Sequence, residues 1–207
     1  MKNICYEFKD KSLIDRAFTH SSLSENNYER LEFLGDSILD FVVGEYFFKN
    51  CMESEGKLTV LRSYYVSENF LASLFDKLHL KKYVKLGKSC KGEISKAVKG
   101  DIIEAIIGAI YIDGGMDCAK EFVFKNFNLQ NYKNIIDENY KSKLQELVQG
   151  NFKCKLNYVT VADGQGGFSS TFCMDEDEIS HGKGKSKQEA EQMAAKMAID
   201  KLFLLNN

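Results

Sequence analysis

Residues 27–40 read NYERLEFLGDSILD, and this stretch decides how the first half of the chain is understood. Leu31, Leu34, Ile38 and Phe41/Val42 recur at helical spacing, which predicts an amphipathic helix. Glu29, Glu32 and Asp36 stand at i, i+3 and i+7, so they share one face of it. Like charges at that spacing cost an isolated helix about 0.2–0.5 kcal/mol per pair. A helix that bears this cost beside a wide apolar stripe carries its acids as more than a solvated surface.

A second acidic pair lies in the most apolar run of the chain, Asp101 to Tyr111 (DIIEAIIGAIY), where Asp101 and Glu104 are i, i+3 neighbours. The run is apolar nearly all round, as expected of a helix buried in a larger core. Charged side chains are seldom buried unless paired or bound to a metal. No Lys or Arg follows the pair in its run, and Lys99 alone cannot neutralise so many carboxylates. A cluster of hard oxygen donors suits Mg²⁺, which keeps several waters and shares phosphate oxygens of a substrate. Two such ions about 3.5–4 Å apart serve phosphodiester hydrolysis. Spacing alone leaves a second reading open, in which both pairs are half-exposed helix carboxylates or caps with no ion.

Around these runs the chain changes grammar. Up to about residue 136 the pattern is almost entirely helical, with Val60, Leu61, Tyr64, Tyr65 and Val66 marking another helix and short Gly/Lys-rich breaks at Gly87–Ser89 and Lys91–Gly92. Asn128 to Asn139 is polar and reads as a linker. Residues 140–149 then form a short amphipathic helix, and 155–162 and 168–174 alternate as strands about a turn containing Gly164, Gly166 and Gly167. An acidic turn, Asp175 to Asp177, leads to a third strand near Glu178 to His181. A last helix runs from about Lys187 to Leu205, with Ser186 as N-cap and Glu189 completing a capping box. The expected architecture is an all-α domain over 1–136 followed by a small α+β domain (α-β-β-β-α) over 139–207.

Composition narrows the field. Among 207 residues, 44% are hydrophobic and 28% charged, an ordinary globular balance, and proline is absent. No run approaches the roughly 18 apolar residues of a membrane span. The first residues, MKNICYEFKDKSL, lack the apolar core of a secretory signal, so a cytoplasmic location is expected. Six scattered cysteines without a C-x-x-C pair fit reduced, mostly buried thiols rather than a zinc site or disulfide framework. The net charge is −2, and residues 139–207 hold 9 basic and 9 acidic side chains, so any nucleic-acid contact has to be local.

NYERLEFLGD resembles the ribonuclease III signature N-x-E-R-L-E-F-L-G-D, with Tyr28 in the variable place. KGDIIEAIIGAIYIDGG resembles that family's second box, D-x-x-E-A-x-x-G-A followed by a D-x-G turn. LIDRAFTHSS (13–22), LTVLR (58–62) and VSE (66–68) resemble further ordered stretches, so the likeness runs to about residue 115. It implies a Mg²⁺-dependent endoribonuclease without an organic cofactor, and leaves open whether Mn²⁺ substitutes. It also implies a homodimer cutting each strand of double-stranded RNA once, in rRNA and mRNA processing, by two-metal-ion hydrolysis that leaves 5′-phosphate and 3′-hydroxyl ends. Glu32, Asp36, Asp101 and Glu104 match the metal-binding catalytic carboxylates, Glu29 and Glu68 match accessory acidic positions, and Phe33 matches an aromatic knob seated in the partner subunit. Gly35 and Gly108-Ala109 are read as small residues for close helix approach, and His20 as structural.

Residues 139–207 resemble a double-stranded RNA-binding domain. Lys183, Lys185 and Lys187 crowd a helix N-terminus, where free N–H groups and the helix dipole also favour phosphate. Gln145 and Gln149, one turn apart on the preceding helix, are in position to reach a minor groove. The loop 163–167, DGQGG, departs from the usual G-P-x-H element, and the next turn is acidic. Modest affinity with a strong salt dependence follows. Two rival functions remain: a non-catalytic double-stranded RNA-binding protein that kept the fold, which loss of a carboxylate would have favoured, and a phosphohydrolase of small substrates, which the RNA module disfavours.

Overall fold

The computed structural model describes residues 4–88, 92–133, 135, 139–151, 154–164 and 166–205. The chain divides into two units, Met1–Tyr132 and Lys133–Asn207. Each is taken by itself.

The first unit is helical. Its helices are α1 (Lys11–Ala17), α2 (Glu29–Asn50), α3 (Glu55–Tyr65), α4 (Glu68–Lys77) and α5 (Lys96–Phe127), with short 3₁₀ turns at Leu80–Tyr83 and Leu129–Asn131. Side-chain caps start three of them: Asp10 accepts from Ser12 N–H, Ser67 from Phe70 N–H and Ser95 from Val98 N–H. Each such cap is worth about 1 kcal/mol. The apolar run of the sequence becomes the centre of α5, where Ile102, Ile103, Ile106, Ile107 and Ile110 are wholly buried. Burying a side chain of that size contributes about 1.5–3 kcal/mol. Against it lies the apolar face of α2, Leu31, Ile38, Leu39, Val42, Val43 and Phe47. The two helices cross at Gly35 and Gly108, both buried. The expected D-x-G turn is a break inside α5: Gly115 takes φ 81°, ψ −175°, and the Asp113 carboxylate beside it accepts from Tyr6 Oη and from the N–H groups of Lys9 and Asp10.

Three expectations are corrected. Phe41 points outward and Val42 inward, and Leu39 and Val43 join the buried face, so the α2 stripe is displaced from the one read in the sequence. The polar stretch from Asn128 is not linker throughout, since Leu129 is buried and the Tyr132 ring packs 5.8 Å from that of Phe47. Among the described cysteines only Cys51 is buried; Cys5 is exposed, Cys118, Cys154 and Cys173 are half-buried, and none of the five is in a disulfide. Cys90 lies outside the described residues. No helix is long and apolar enough to cross a membrane among the described residues.

The second unit runs α6 (Tyr140–Asn151), β1 (Leu156–Ala162), β2 (Phe168–Met174), β3 (Asp177–Gly184) and α7 (Lys187–Leu205). The strands form one antiparallel sheet in the order β1-β2-β3. The third strand is longer than its alternation suggested, and a bulge shifts its register between Phe172 and Cys173. Leu144 and Val148 of α6, Phe172 of β2 and Ala194, Ala195 and Ala198 of α7 make the core. Those alanines let α7 lie close on β3, where a β-carbon at Gly182 would overlap the Ala194 backbone nitrogen. Ser180 Oγ, buried at the same contact, donates to the Ala194 carbonyl at 2.6 Å. At the start of α7, Ser186 Oγ accepts from Glu189 N–H at 3.2 Å, but the Glu189 carboxylate accepts from Lys185 N–H, one residue before the position a capping box requires.

Candidate functional site

α2 begins where two motif residues fix its entry. The Asn27 side chain accepts from Glu29 N–H at 2.9 Å, and the Asn27 carbonyl accepts from Arg16 Nε at 2.8 Å. The Tyr28 carbonyl then takes the N–H groups of Leu31 and Glu32. From this start Glu32 and, one turn later, Asp36 face α5. There Asp101 and Glu104 stand on the side turned toward them.

Glu32, Asp101 and Glu104 each bring a carboxylate oxygen within 4.8 Å of the others, all three half-buried. Asp36 is more exposed and falls outside that trio, yet its charge acts on both Glu32 and Glu104. Glu29 and Glu68 are exposed at the margin; the first adds to the field on Glu32 and the second to that on Asp101.

The electrostatics are those of crowded acids. Burial, then the charges of Asp36, Glu32 and Asp101, push Glu104 up to about 8. Burial and the Asp101, Asp36 and Glu29 charges raise Glu32. Asp101 is also raised, chiefly by burial, against the opposing effect of a hydrogen bond from Tyr28. Two bare carboxylates about 5 Å apart repel by about 3 kcal/mol at an effective dielectric of about 20. His20 lowers Asp101 electrostatically, and ion pairing gives no further relief. Among the described residues, none of the ion pairs involves these four acids, and Lys99 instead pairs with Asp76 at 2.7 Å. Half-buried, all-oxygen and without a counter-ion, the cluster fits a hard divalent cation.

Two neighbours of the site were not legible as such. Tyr28, in the motif's variable place, is buried and donates from Oη to Asp101 Oδ2 at 3.1 Å. His20 packs its ring edge 5.7 Å from the Tyr28 ring, holds Ser22 Oγ at 2.8 Å through Nδ1, and lowers Asp101 electrostatically. Their distance in sequence from Asp101 hides the contact.

Phe33, between Glu32 and Leu34, is 75% exposed. Phe41 continues its face of α2, and Phe48 at 78% and Met52 just beyond the helix extend it. A row of large apolar side chains on one helix is more than the scattered exposure of an ordinary surface.

In the second unit Lys183 is the penultimate residue of β3, Lys185 sits in the following turn and Lys187 opens α7; all three are exposed. Lys183 and Lys185 line a shallow concavity with Asp163, Gly166, Gly167 and Glu189. Asp163 is held there by its own loop, accepting from Gly167 N–H at 2.9 Å. Gln145 is exposed on α6; Gln149 belongs to the same helix, but its side chain lies outside the described residues.

Residues 10–130 match the family model described as ribonuclease-III-like, and 140–202 match that of the double-stranded RNA binding motif. Ribonuclease 3 of Campylobacter jejuni is 39% identical over 217 residues, covering 99% of this chain and 96% of that protein. Ribonuclease 3 of Borreliella afzelii is 37% identical over 225 residues, covering 100% and 91%. Among solved structures, the nuclease domain of the Campylobacter jejuni enzyme superposes with TM-score 0.58 at 39% identity, over 61% of this chain and 92% of that one. With a helical unit carrying the acidic cluster and an RNA-binding unit after it, the chain belongs to the ribonuclease III family of endoribonucleases.

Proposed function

We propose that the chain is a Mg²⁺-dependent, homodimeric endonuclease that cuts double-stranded RNA during rRNA and mRNA processing, leaving 5′-phosphate and 3′-hydroxyl ends. The observation that carries this is the convergence of Glu32, Asp101 and Glu104 from two helices, with no ion pair to any of them among the described residues. Glu32, Asp36, Asp101 and Glu104 are the residues that would hold the metal, for two-metal-ion hydrolysis. When bound, the cations supply the positive charge that eases deprotonation of water and stabilises the oxygens of the phosphodiester. The chain's part is to hold these carboxylates in place, and to place the duplex. Glu29 and Glu68 widen the negative field around the cluster and help to draw cations in.

Duplex placement falls to the second unit, taken as residues 139–207 beside a nuclease domain of 1–136. Lys183, Lys185 and Lys187 supply phosphate contacts at a helix start, and Gln145 and Gln149 are the α6 residues assigned to the minor groove. The dimer is supported by the apolar row Phe33, Phe41 and Phe48, with Phe33 entering the partner subunit. The Campylobacter jejuni nuclease domain, whose own structure concerns a region involved in dimer formation, gives the same direction.

One assay tests the reading: the purified chain with labelled duplex RNA, single-stranded RNA and duplex DNA, each with Mg²⁺ and with EDTA. Cleavage confined to duplex RNA and abolished by EDTA is expected. Binding without cleavage under every metal condition would replace the enzyme with a plain RNA-binding protein.

A further inference from the structure

Tyr28 occupies a place that the motif leaves variable, yet it touches both helices of the cluster. Its ring is 5% exposed and rests against His20. Its N–H donates to the Thr19 carbonyl at 3.0 Å, and its carbonyl accepts from Glu32 N–H at 2.9 Å. Its hydroxyl donates to Asp101 Oδ2 at 3.1 Å. One residue thus joins the backbone of one carboxylate bearer to the side chain of another, across 73 positions of sequence.

The chemistry gives that hydroxyl a task. The terminal torsion of an aspartate is broad and nearly two-fold, so packing alone holds its carboxylate loosely. Asp101 has no ion-pair partner among the described residues to fix it. A hydrogen bond from a buried phenol selects one rotation. The phenol is itself held, by its own N–H and by the His20 ring, whose Nδ1 is tied to Ser22 Oγ, which in turn accepts from Gly87 N–H at 2.9 Å.

We propose that Tyr28 is a positioning residue for the cation site, its hydroxyl setting the Asp101 carboxylate in the orientation that lets it share an ion with Glu32 and Glu104. This rests on the cation-site reading above. Partners that orient metal ligands typically contribute 10- to 100-fold in metal affinity or activity.

The test uses the full chain as Tyr28→Phe, which keeps the ring and its packing, with Asp101→Asn as the reference. Mn²⁺ binding is titrated on the RNA-free protein by the electron paramagnetic resonance of free Mn²⁺, melting is followed in parallel, and cleavage is measured across Mg²⁺ concentration. Expected for Tyr28→Phe are a parental melting temperature, Mn²⁺ affinity about tenfold weaker, and cleavage that recovers toward the parental kcat as Mg²⁺ is raised. Parental Mn²⁺ affinity in Tyr28→Phe, with binding lost in Asp101→Asn, would overturn the role of Tyr28 and leave the cation site standing. Parental affinity in both variants would overturn the site itself and this proposal with it. Equal loss of cleavage at every Mg²⁺ concentration, with a lowered melting temperature, would make Tyr28 merely structural and also overturn it.

Discussion

Gly35 of α2 meets the backbone of Glu104 on α5 so closely that a β-carbon at Gly35 would overlap the Glu104 carbonyl oxygen and carbon. The reciprocal contact sets Gly108 against the Leu31 carbonyl. These two contacts let the helix carrying Glu32 come close enough to the one carrying Asp101 and Glu104 for the three carboxylates to lie within 4.8 Å of one another. Gly35→Ala should therefore cost at least the roughly 1–3 kcal/mol of an overpacked core, because backbone rather than a flexible side chain stands in the way. Divalent-cation affinity should fall with it. The contrast is Gly56→Ala on α3, where nothing lies within 4 Å of a new β-carbon; there helix propensity alone should add up to about 1 kcal/mol. Denaturant titration of the two variants gives the comparison, and equal stabilities would refute the crossing argument.

Glu104 ties stability to pH in the cation-free protein. Its ordinary value near 4.3 in the unfolded chain rises to about 8 on folding. The folded state therefore keeps the proton longer. That favourable contribution is complete below about pH 4.3 and is lost as pH climbs through about 8. In EDTA the melting temperature should drop between pH 6 and pH 9, and Glu104→Gln should flatten the drop. A divalent cation should reverse the trend, because binding requires the ionised form. Cleavage by Glu104→Gln should fall by more than the roughly 10- to 100-fold of an outer-shell change; near-normal cleavage with Mg²⁺ would disprove its ligand role.

Phe33 should be dispensable to the isolated fold and costly to association. Truncation of a central aromatic anchor removes about 2 kcal/mol or more of binding, roughly a 30-fold weaker dimer. Analytical ultracentrifugation of Phe33→Ala should show monomer at concentrations where the parent is dimeric, with melting of the dilute protein unchanged. A variant still dimeric at the parental affinity would move the interface elsewhere.

The lysines of the second unit should dominate RNA affinity through their charge. Each of Lys183→Ala, Lys185→Ala and Lys187→Ala should reduce the slope of log affinity against log salt by about 1. Fluorescence anisotropy with duplex RNA at several salt concentrations measures it. A flat response in the parent would remove the phosphate-contact reading, and the loop at Asp163–Gly167 offers no lysine to replace them.

How much of this was legible in the letters varies with how local the cause is. α7 spans Lys187 to Leu205 as read, because its apolar period and Ser186 cap are both local. β1 and β2 fall within a residue of their alternation for the same reason. The bulge after Phe172 depends on a neighbouring strand, and so the third strand was read short. Asn128 to Tyr132 misled because its letters are polar while Leu129 and the Tyr132 ring are buried by distant partners. At the site, periodicity put Glu32 and Asp36 on one face and Asp101 and Glu104 on another. That the faces meet rests on Gly35 and Gly108, read in the sequence as small residues for close helix approach and found at the crossing, though spacing alone does not say which backbone each one meets. Lys99 looked like a nearby counter-charge and is drawn away to Asp76, a choice only the packing of α4 on α5 makes.

Asp101 and Glu104 ride on a stretch of α5 whose isoleucines are wholly shielded from solvent. Amides in such a segment open only when the surrounding unit opens, so they belong to the last layer to exchange with water. These two acids are thus anchored on a well-protected helix rather than on a fraying loop. Warming that loosens the ends of the chain should leave the acids aligned, and nuclease competence should vanish with cooperative melting instead of ahead of it.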